Sequence, residues 1–415
     1  MTSELTASVN ERGEIVLPAE IAARYGLTPG ATIQLVDGDA NLVQLRRPIA
    51  QLAKVYVEPT DACNLDCVTC VRNVWDEPIG RMSDATFARI IDGLRAFSPP
   101  PTIFFGGFGE PLAHASIIEM VTQAKALGSK VELITNGTLL TEKMSRQLIE
   151  AQLDVLWVSI DGATPESYAD VRLGAALPTV LANVTRFREL RPSSYYPRPE
   201  IGIAFVAMKR NIDELPEMLA IGRWLGAAYF KVSNVLPYTE ELRDEMLYER
   251  VVTRIPCPPS PGVPHLSLPK IDVSPATRHS LYQAMNSNRT INYAGKDLMV
   301  NDRCPFVESG VTAIGWDGGV SPCLPLLHNH VSFVGKYKRY SRRHVIGQVT
   351  DRNLIDLWNE PEYIAFRERV QVFDFAPCTS CGGCNLLEHN EEDCIGSTFP
   401  TCGGCLWAQG VIQCP

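Results

Sequence analysis

Residues 54–70, KVYVEPTDACNLDCVTC, begin as an apolar strand and end as a polar loop that carries three cysteines. Five further apolar runs follow along the chain, and amphipathic stretches separate them. This alternation is typical of repeated βα units whose parallel sheet is buried on both faces. The six predicted strands are KVYVEP (54–59), TIFF (102–105), KVELIT (130–135), DVLWVSI (154–160), IGIAFVAM (201–208) and AYFKVS (228–233).

The amphipathic stretches predict helices that cover this sheet. Phe87, Ile90 and Leu94 recur at helical spacing behind Ser83, a residue suited to cap a helix. A second helical pattern ends ahead of Gly128. We therefore expect an α/β fold over residues 51–250.

Polar or glycine-containing motifs follow the predicted strands. They are Cys63, Cys67 and Cys70 after the first, then GGFGEP (106–111), TNGTLL (135–140), Asp161-Gly162, and Lys209 with Asn211. The carboxyl ends of parallel strands meet at one edge, where helix N-termini point their amides at ligands. We expect all of these motifs to face one mouth.

The three cysteines of the first loop have the spacing C-x3-C-x2-C. A tetrahedral zinc site or a complete four-iron cluster needs four protein ligands, and no fourth cysteine lies nearby in the sequence. A cluster held by three cysteines leaves one iron open to a chelating molecule. A zinc knuckle completed by a distant residue is the alternative.

Length and composition limit the class of protein. The chain has 415 residues, whereas a single core stops growing near roughly 250–300 residues, so we expect several domains. Its 45% apolar residues can bury a core. No apolar run approaches the ~18 residues of a membrane span, and no signal-peptide pattern is present, so we expect a cytoplasmic protein. The net charge of −9 disfavours nucleic acid as a partner.

The chain has 13 cysteines, which in a reducing cytosol are expected to be metal ligands rather than disulfides. None occurs in residues 1–62, and seven lie within residues 378–414. The segment 371–415 has no lysine or arginine and little periodicity, so we expect metal to hold it together. A Pro-rich stretch at 255–269 carries Cys257 and is interpreted as a linker or insertion.

Four motifs together resemble the radical S-adenosylmethionine (radical SAM) superfamily. They are EPTDACNLDCVTC, FFGGFGEPLAHA, VELITNGTLL and VSIDGATPESYADVR, in this order along about residues 53–235. The resemblance implies a partial (β/α)6 TIM-like barrel. It also implies a 4Fe–4S cluster on Cys63, Cys67 and Cys70, with S-adenosylmethionine chelating the fourth iron.

The same resemblance implies roles for residues of the other motifs. Gly109 and Glu110 match the motif that holds the methionyl amine, which suits a close backbone approach and a carboxylate. Ser159 and Asp161 fall where family members contact the ribose, and Asn136 lies in the adjacent loop. Asp161 and Asn136 each precede a glycine, so a turn without a ligand is the alternative. Family members usually have an aromatic residue where this chain has Thr69.

The C-terminal cysteines resemble the SPASM extension of this superfamily. Its opening pattern is matched by Cys304, Gly318 and Cys323, and the later cysteines are Cys378, Cys381, Cys384, Cys394, Cys402, Cys405 and Cys414. These nine suffice for two auxiliary 4Fe–4S clusters, which is the expectation, but their spacing departs from the usual one and leaves the pairing open. A zinc ribbon of Cys381, Cys384, Cys402 and Cys405 is the alternative.

Residues 5–49 predict a small β-rich module with turns at Arg12-Gly13, Pro29-Gly30 and Asp37-Gly38, and they resemble the AbrB/MazE/SpoVT swapped-hairpin domain. Free-standing members of that family are dimeric DNA binders. Acidic residues outnumber the basic ones here, so we expect homodimer formation or partner capture through residues 1–50 rather than DNA binding. The remaining expected boundaries are 51–250 for the barrel, 251–300 for the linker and 301–415 for the SPASM-like domain.

The predicted function is an enzyme that reductively cleaves S-adenosylmethionine and abstracts hydrogen from a protein, a peptide or a cofactor precursor. The chain is similar to radical SAM maturases of tungsten-cofactor oxidoreductases of the aldehyde:ferredoxin type, with ferredoxin or flavodoxin as the expected electron donor. A peptide-modifying SPASM enzyme, an iron–sulfur sensor acting through residues 1–50, and a zinc scaffold are the alternatives.

Overall fold

The computed structural model describes residues 6–24, 27, 35–38, 42–45, 49–195, 197–249, 252, 266–285, 291–293, 296–297, 303–379 and 381–415. Cys257 and the turn at Pro29-Gly30 lie outside these residues. The N-terminal module contains β1 (Ser8–Val9), β2 (Ile15–Val16), helix α1 (Ala19–Arg24), β3 (Leu35–Gly38) and β4 (Leu42–Leu45). Strands β1 and β2 pair antiparallel, as do β3 and β4.

The turn between β1 and β2 is built from side-chain and backbone features of its own residues. The Asn10 side chain accepts hydrogen bonds from the amides of Arg12 and Glu14. Gly13 has φ +78°, a left-handed conformation that glycine adopts without strain. The turn predicted at Arg12-Gly13 is confirmed.

Six parallel strands form the centre of the main sheet. They are β5 (Lys54–Val57), β6 (Thr102–Phe105), β7 (Val131–Thr135), β8 (Val155–Ser159), β9 (Glu200–Ala207) and β10 (Ala227–Asn234). Each pairs in parallel with the next along the chain. All six predicted strands are confirmed. The strands β5 to β9 are largely buried, as suits continuous apolar runs, whereas the residues of β10 are half-buried or exposed.

Helices connect these strands and cover the outer face of the sheet. They are α2 (Asp84–Leu94), α3 (Ile117–Ala126), α4 (Glu142–Glu150), α5 (Pro165–Val171), α6 (Leu177–Leu190), α7 (Leu215–Trp224) and α8 (Glu240–Asp244). The predicted cap of α2 is confirmed, since the Ser83 side chain accepts a hydrogen bond from the Thr86 amide. Phe87 of α2 packs against Phe105 of β6 with ring centroids 5.9 Å apart.

The C-terminal region extends the same sheet. Its strands are β11 (Leu266–Leu268), β12 (Ile291–Tyr293), β13 (Lys296–Asp297), β14 (Val311–Ile314), β15 (Gly319–Ser321), β16 (His330–Val334), β17 (Tyr337–Ser341) and β18 (Gly347–Gln348). Its helices are Arg278–Met285, Pro305–Glu308, Leu354–Trp358 and Pro361–Val372. The main sheet has the order β10-β9-β8-β7-β6-β5-β14-β15-β18, and β14 runs parallel to β5.

The outermost strands leave the barrel open. In the described part of the chain β10 is an edge strand and does not pair with β5, so the six βα units form a partial barrel, as expected. Beyond Val372 the described residues contain one short helix, Asn385–Glu388, and isolated β-bridges such as Glu392 with Thr398. This segment nevertheless buries Phe375, Leu406 and Trp407. Apolar packing therefore helps to hold it in place, in addition to any metal bound by its cysteines.

No helix among the described residues is long and apolar enough to cross a membrane.

Candidate active site

The predicted cysteines and glycine loop surround one cavity at the carboxyl ends of the strands. The cavity has a volume of about 290 Å³. Of the predicted site residues, those that line it are Cys63, Cys67, Cys70, Gly109, Glu110, Asn136 and Ser159. The structure thus brings together seven of the eight residues predicted to bind the cluster or S-adenosylmethionine. Asp161 lies outside the lining, as do Lys209 and Asn211, which were also expected at this mouth.

The loop with the three cysteines is held by backbone contacts to the segment that ends α5. The amide of Asp66 donates to the Leu173 carbonyl, and the amide of Val68 donates to the Val171 carbonyl. The Arg72 side chain adds hydrogen bonds to the carbonyls of Asp61 and Leu65. These contacts hold the cysteine loop against the end of α5.

Two of the thiols have a polar or charged donor beside them. The Asn136 side-chain nitrogen lies 3.8 Å from Cys63 Sγ, and an Arg172 guanidinium nitrogen lies 3.8 Å from Cys67 Sγ. Burial raises the pKa of both thiols, and Arg172 opposes that rise at Cys67. Burial thus makes the free thiolate unfavourable. A metal ion that replaces the thiol proton would neutralise that charge, because the ligand of the metal is the thiolate.

Glu110 is buried and accepts three hydrogen bonds. Its Oε1 accepts from the Leu112 amide at 2.9 Å and from the Thr135 hydroxyl at 2.8 Å. Its Oε2 accepts from the Asn136 amide at 2.7 Å. Burial raises the pKa of Glu110 despite these donors. A carboxylate offers about four acceptor sites, so one remains on Oε2 for a ligand that donates.

The glycines of the GGFGEP loop leave no room for a side chain. A Cβ on Gly109 would lie 2.1 Å from the Thr60 carbonyl oxygen, and one on Gly107 would lie 2.5 Å from Glu58 Oε1. The loop backbone is therefore pressed against the loop of the cysteines. Only glycine permits that approach.

Asp161 is fully buried behind the cavity rather than in its wall. Its carboxylate pairs with Arg172 at 2.6 Å and accepts a hydrogen bond from the Val206 amide at 2.8 Å. The Asn211 side chain donates to the Asp161 carbonyl. In this structure Asp161 thus orients Arg172, which is the residue that contacts Cys67.

A buried Glu–His–Glu arrangement joins the C-terminal region to the glycine loop, and the sequence analysis missed it. The ring nitrogens of His328 lie 2.8 Å from Glu58 Oε2 and 2.7 Å from Glu77 Oε2. Glu58 Oε1 in turn accepts from the Phe108 amide. Trp75 stacks on the His328 ring with centroids 4.2 Å apart. These residues are distant in the sequence and share no motif. Only Glu58, which ends the first predicted strand and begins the motif of the three cysteines, could have been recognised from the sequence.

The segment 411–415 spans the open side of the barrel. At β10, the Gln413 amide donates to the Ser233 hydroxyl and the Asn234 side chain donates to the Val411 carbonyl. At β5, Lys54 Nζ donates to the Pro415 carbonyl oxygen at 2.9 Å. The segment therefore contributes to the cavity wall, opposite Cys63 and its neighbours.

Four C-terminal cysteines surround a second, largely apolar cavity: Cys304, Cys323, Cys402 and Cys405. We call these four set A. Burial raises the pKa of each thiol in it. Nearby thiols of the set raise the pKa of three of them further.

The other C-terminal cysteines lie apart from set A. Burial raises the pKa of Cys378 to about 11, with contributions from the neighbouring thiols of Cys381 and Cys394. Cys384 follows Cys381 on the same loop, after two glycines with positive φ, and is exposed. We call these four set B. The zinc ribbon would need Cys402 and Cys405 beside Cys381 and Cys384, but the structure places them with Cys304 and Cys323.

Cys414 lies between set A and the barrel. Burial raises the pKa of its thiol, whereas the nearby ammonium groups of Lys54 and Lys231 lower it. The thiol of Cys405, in set A, also raises the pKa of Cys414. Cys414 therefore belongs to the barrel segment 411–415 rather than to set B.

The four thiols of set A offer the kind and number of ligands that an iron–sulfur cluster takes. They line one cavity between them, and a complete 4Fe–4S cluster needs four cysteine thiolates. The donor set, all sulfur, matches the ligands of 4Fe–4S clusters.

Comparison with known proteins agrees with this geometry. The radical SAM superfamily matches residues 57–219, and the SPASM iron–sulfur cluster-binding domain matches residues 304–385. The chain belongs to the radical SAM superfamily and is an enzyme of its SPASM-containing class. A relative from Pyrococcus furiosus, the tungsten-containing aldehyde ferredoxin oxidoreductase cofactor-modifying protein, is 30% identical over 87% of this chain and 96% of its own length.

Solved structures show the same fold. SuiB of Streptococcus suis, bound to the precursor peptide SuiA, superposes with a TM-score of 0.52 at 15% identity, over 83% of this chain and 72% of SuiB. The enzyme anSMEcpe with bound S-adenosylmethionine gives a TM-score of 0.52 at 18% identity, over 86% of this chain and 96% of that one. The cofactors of this class are a 4Fe–4S cluster and S-adenosylmethionine, with further iron–sulfur binding by the SPASM domain.

Proposed function

We propose that Cys63, Cys67 and Cys70 hold the 4Fe–4S cluster and that S-adenosylmethionine binds beside them in the 290 Å³ cavity. A reduced cluster held there would supply one electron for cleavage of the C5′–S bond of S-adenosylmethionine, which gives methionine and a 5′-deoxyadenosyl radical. The chain's own residues position the reactants and exclude water from them. The three thiols in one cavity wall are the geometric support for this assignment.

Glu110 would accept a hydrogen bond from the ammonium group of S-adenosylmethionine through its free acceptor site. Three protein donors already fix the orientation of its carboxylate. Because the group is buried, a charge-assisted hydrogen bond there is stronger than one in water. Gly109 provides the close backbone approach beside it, and Ser159 and Asn136 offer polar side chains to the same cavity.

Arg172 would stabilise negative charge on the sulfur of Cys67. Its guanidinium lies 3.8 Å from that sulfur and is oriented by Asp161. Asp161 is thus proposed as a positioning residue rather than as a contact for the ribose. Apolar wall residues such as Leu65 and Phe108 keep water from the reacting centre.

Sets A and B would each hold one auxiliary 4Fe–4S cluster. Each set has four cysteines, which is the number that a complete cluster needs. Cys414 and Cys257 are then left over. In this assignment the domain of residues 301–415 carries two clusters and shares the main sheet with the barrel of residues 51–250.

The substrate that we propose is a cofactor precursor of a tungsten-dependent oxidoreductase of the aldehyde:ferredoxin type. The observation that carries this proposal is the relationship to the cofactor-modifying protein of P. furiosus over nearly the whole length of both chains. The cavity also suits a small anionic molecule, because Lys231, Ser233 and Gln413 line it and segment 411–415 covers its open side. A low-potential donor such as ferredoxin or flavodoxin would supply the electron.

The first test is formation of 5′-deoxyadenosine by anaerobic, iron-reconstituted protein with S-adenosylmethionine and a strong reductant, measured by mass spectrometry. We expect product from the unaltered protein and none from Cys70→Ala. Asp66→Asn, which changes an exposed carboxylate in the same loop, is the matched control and should remain active. Product from Cys70→Ala would contradict the proposed ligand set. If the unaltered protein also forms no product, the result would favour the alternative of an iron–sulfur sensor.

The substrate is tested by adding to the same reaction the cofactor precursor extracted from a tungsten oxidoreductase that was produced in cells lacking this protein. We expect more 5′-deoxyadenosine and a mass change in the precursor. A mass change only in added peptide would instead support a peptide-modifying enzyme.

For residues 1–50 we propose dimer formation. Val9, Ile15 and Val16 of the β1–β2 hairpin are about half exposed or more, which leaves apolar surface for a second hairpin. Light scattering should give a dimer for the full chain and a monomer for Ile15→Asp with Val16→Asp. A dimer in both would place the interface elsewhere.

A further inference from the structure

A buried arginine stands between the two C-terminal cysteine sets. Arg339 lies on β17 and is only 4% exposed. It lines the set A cavity together with Cys402 and Cys405. On the set B side, its guanidinium donates to the carbonyl of Leu387, which lies in the short helix Asn385–Glu388 that directly follows Cys384. Thiols of both sets also act on the pKa of Arg339: Cys405 and Cys402 from set A, and Cys378 from set B.

The guanidinium has neutral hydrogen-bond partners. One nitrogen donates to the Leu387 carbonyl at 2.8 Å, and another lies 3.5 Å from the Thr401 carbonyl oxygen. Within the described residues no carboxylate forms an ion pair with it, in contrast to Arg172 and Asp161. Burial therefore lowers the pKa of Arg339.

The surrounding chain makes room for this cation. A Cβ on Gly404, between Cys402 and Cys405, would lie 2.8 Å from an Arg339 guanidinium nitrogen. The guanidinium is thus packed directly against the backbone of the CGGC segment 402–405. Burying such a cation without a countercharge is unfavourable, because it loses the solvation that water provides.

We propose that Arg339 is the shared countercharge of both auxiliary clusters and that it raises their reduction potentials. This inference depends on the proposed assignment of sets A and B to clusters. A 4Fe–4S cluster with four thiolates is an anion, and its charge becomes more negative on reduction. A cation held beside it in a medium of low dielectric constant favours the reduced state. Arg339 is a positioning and tuning residue in this proposal.

The test uses full-length protein in which Cys63, Cys67 and Cys70 are all replaced by Ala, so that only C-terminal iron remains. Iron content and the potentials of the electron paramagnetic resonance signals are compared between this parent and its Arg339→Gln and Arg339→Lys derivatives. Arg367→Gln is the matched control, because Arg367 is equally buried but lies over the Trp358 ring, with no cysteine acting on its pKa.

We expect more negative potentials for both signals in Arg339→Gln, a smaller shift in Arg339→Lys and none in Arg367→Gln. Unchanged potentials in Arg339→Gln, or equal shifts in Arg367→Gln, would overturn the proposal. A parent that holds no C-terminal iron would instead refute the cluster assignment itself. Iron content thus separates the two failures.

Thermal unfolding gives a second readout, which remains usable if Arg339→Gln binds iron poorly. Without iron the protonated thiols offer no countercharge, so Arg339→Gln should raise the melting temperature of iron-free protein. With iron bound the same substitution should lower it. A lower melting temperature in both forms would show a purely structural role and would overturn the proposal.

Discussion

Arg172 and Asp161 form a buried ion pair in which two guanidinium nitrogens lie 2.7 and 2.6 Å from the same carboxylate oxygen. The pair stands directly behind Cys67, because a third nitrogen of the guanidinium lies 3.8 Å from its sulfur. The βα loop after β8 thereby supports the cysteine loop after β5. The two loops are more than 90 residues apart in sequence but meet at the same edge of the sheet.

The first prediction concerns this pair. Asp161→Asn leaves the guanidinium buried without a countercharge, so we expect a loss of about 3 to 5 kcal/mol in the free energy of unfolding. Urea unfolding of iron-free protein measures it. Asp92→Asn, in the exposed pair with Arg95, is the control and should change stability by less than about 1 kcal/mol. Equal effects at the two sites would show that the buried pair has no special role.

The second prediction concerns pH and His328. Burial alone would lower the pKa of His328, but hydrogen bonds to Glu58 and Glu77 raise it from 6.5 to about 9. Because the folded protein holds this proton more tightly than the unfolded chain, the stabilisation is complete below about pH 6.5 and is lost as the pH rises through about 9. We expect a decrease of roughly 3 kcal/mol in the free energy of unfolding over this range.

The measurement is denaturant unfolding of iron-free protein between these pH values. The other charged groups near the site are Asp61, on which His328 acts, and Arg343, which acts on Glu77. His328→Gln should flatten the pH dependence, whereas His279→Gln, at an exposed position, should not. A profile that is the same in all three proteins would rule out His328 as its source.

The third prediction concerns Glu110 and S-adenosylmethionine. In Glu110→Gln the negative charge is lost. The new side-chain NH2 group, a donor, must also face another donor: the amide of Asn136 in one orientation, or the donors of Leu112 and Thr135 in the other. We expect S-adenosylmethionine affinity to fall at least about tenfold, the effect of losing one hydrogen bond to a charged group. Equilibrium dialysis with protein of verified iron content measures it.

The matched control for Glu110→Gln is Glu119→Gln, an exposed position on α3. It should bind S-adenosylmethionine as the unaltered protein does. Unchanged affinity in Glu110→Gln would remove Glu110 from the proposed binding site.

The fourth prediction concerns the pairing of the C-terminal cysteines. Cys323→Ala should remove the iron of set A and leave that of set B, whereas Cys378→Ala should do the reverse. Iron analysis together with Mössbauer spectra of the variants measures this. Loss of all C-terminal iron from either single variant would show that the two sets do not bind clusters independently.

Much of the barrel was predictable because its signals are local. A strand buried on both faces is largely apolar, so the parallel strands β5 to β9 were visible as apolar runs. The edge strand β10 has no fully buried residue and was predicted from its place in the alternation of apolar and amphipathic stretches. The glycines at 107 and 109 were also local signals, since a backbone pressed against its neighbour allows no side chain. By contrast, β14 is short and lies far from β5 in sequence, so no pattern indicated that it extends the barrel sheet.

The βα repeat could be predicted from the amino-acid sequence, and so could the three-cysteine loop and the glycine loop beside it, because each depends on residues that are neighbours along the chain. Three other features follow from tertiary packing: Asp161 faces Arg172, His328 lies between Glu58 and Glu77, and Cys304 and Cys323 meet Cys402 and Cys405. These contacts join residues from separate loops and strands. Their geometry depends on how the βα units and the C-terminal strands pack, which spacing within one segment does not encode.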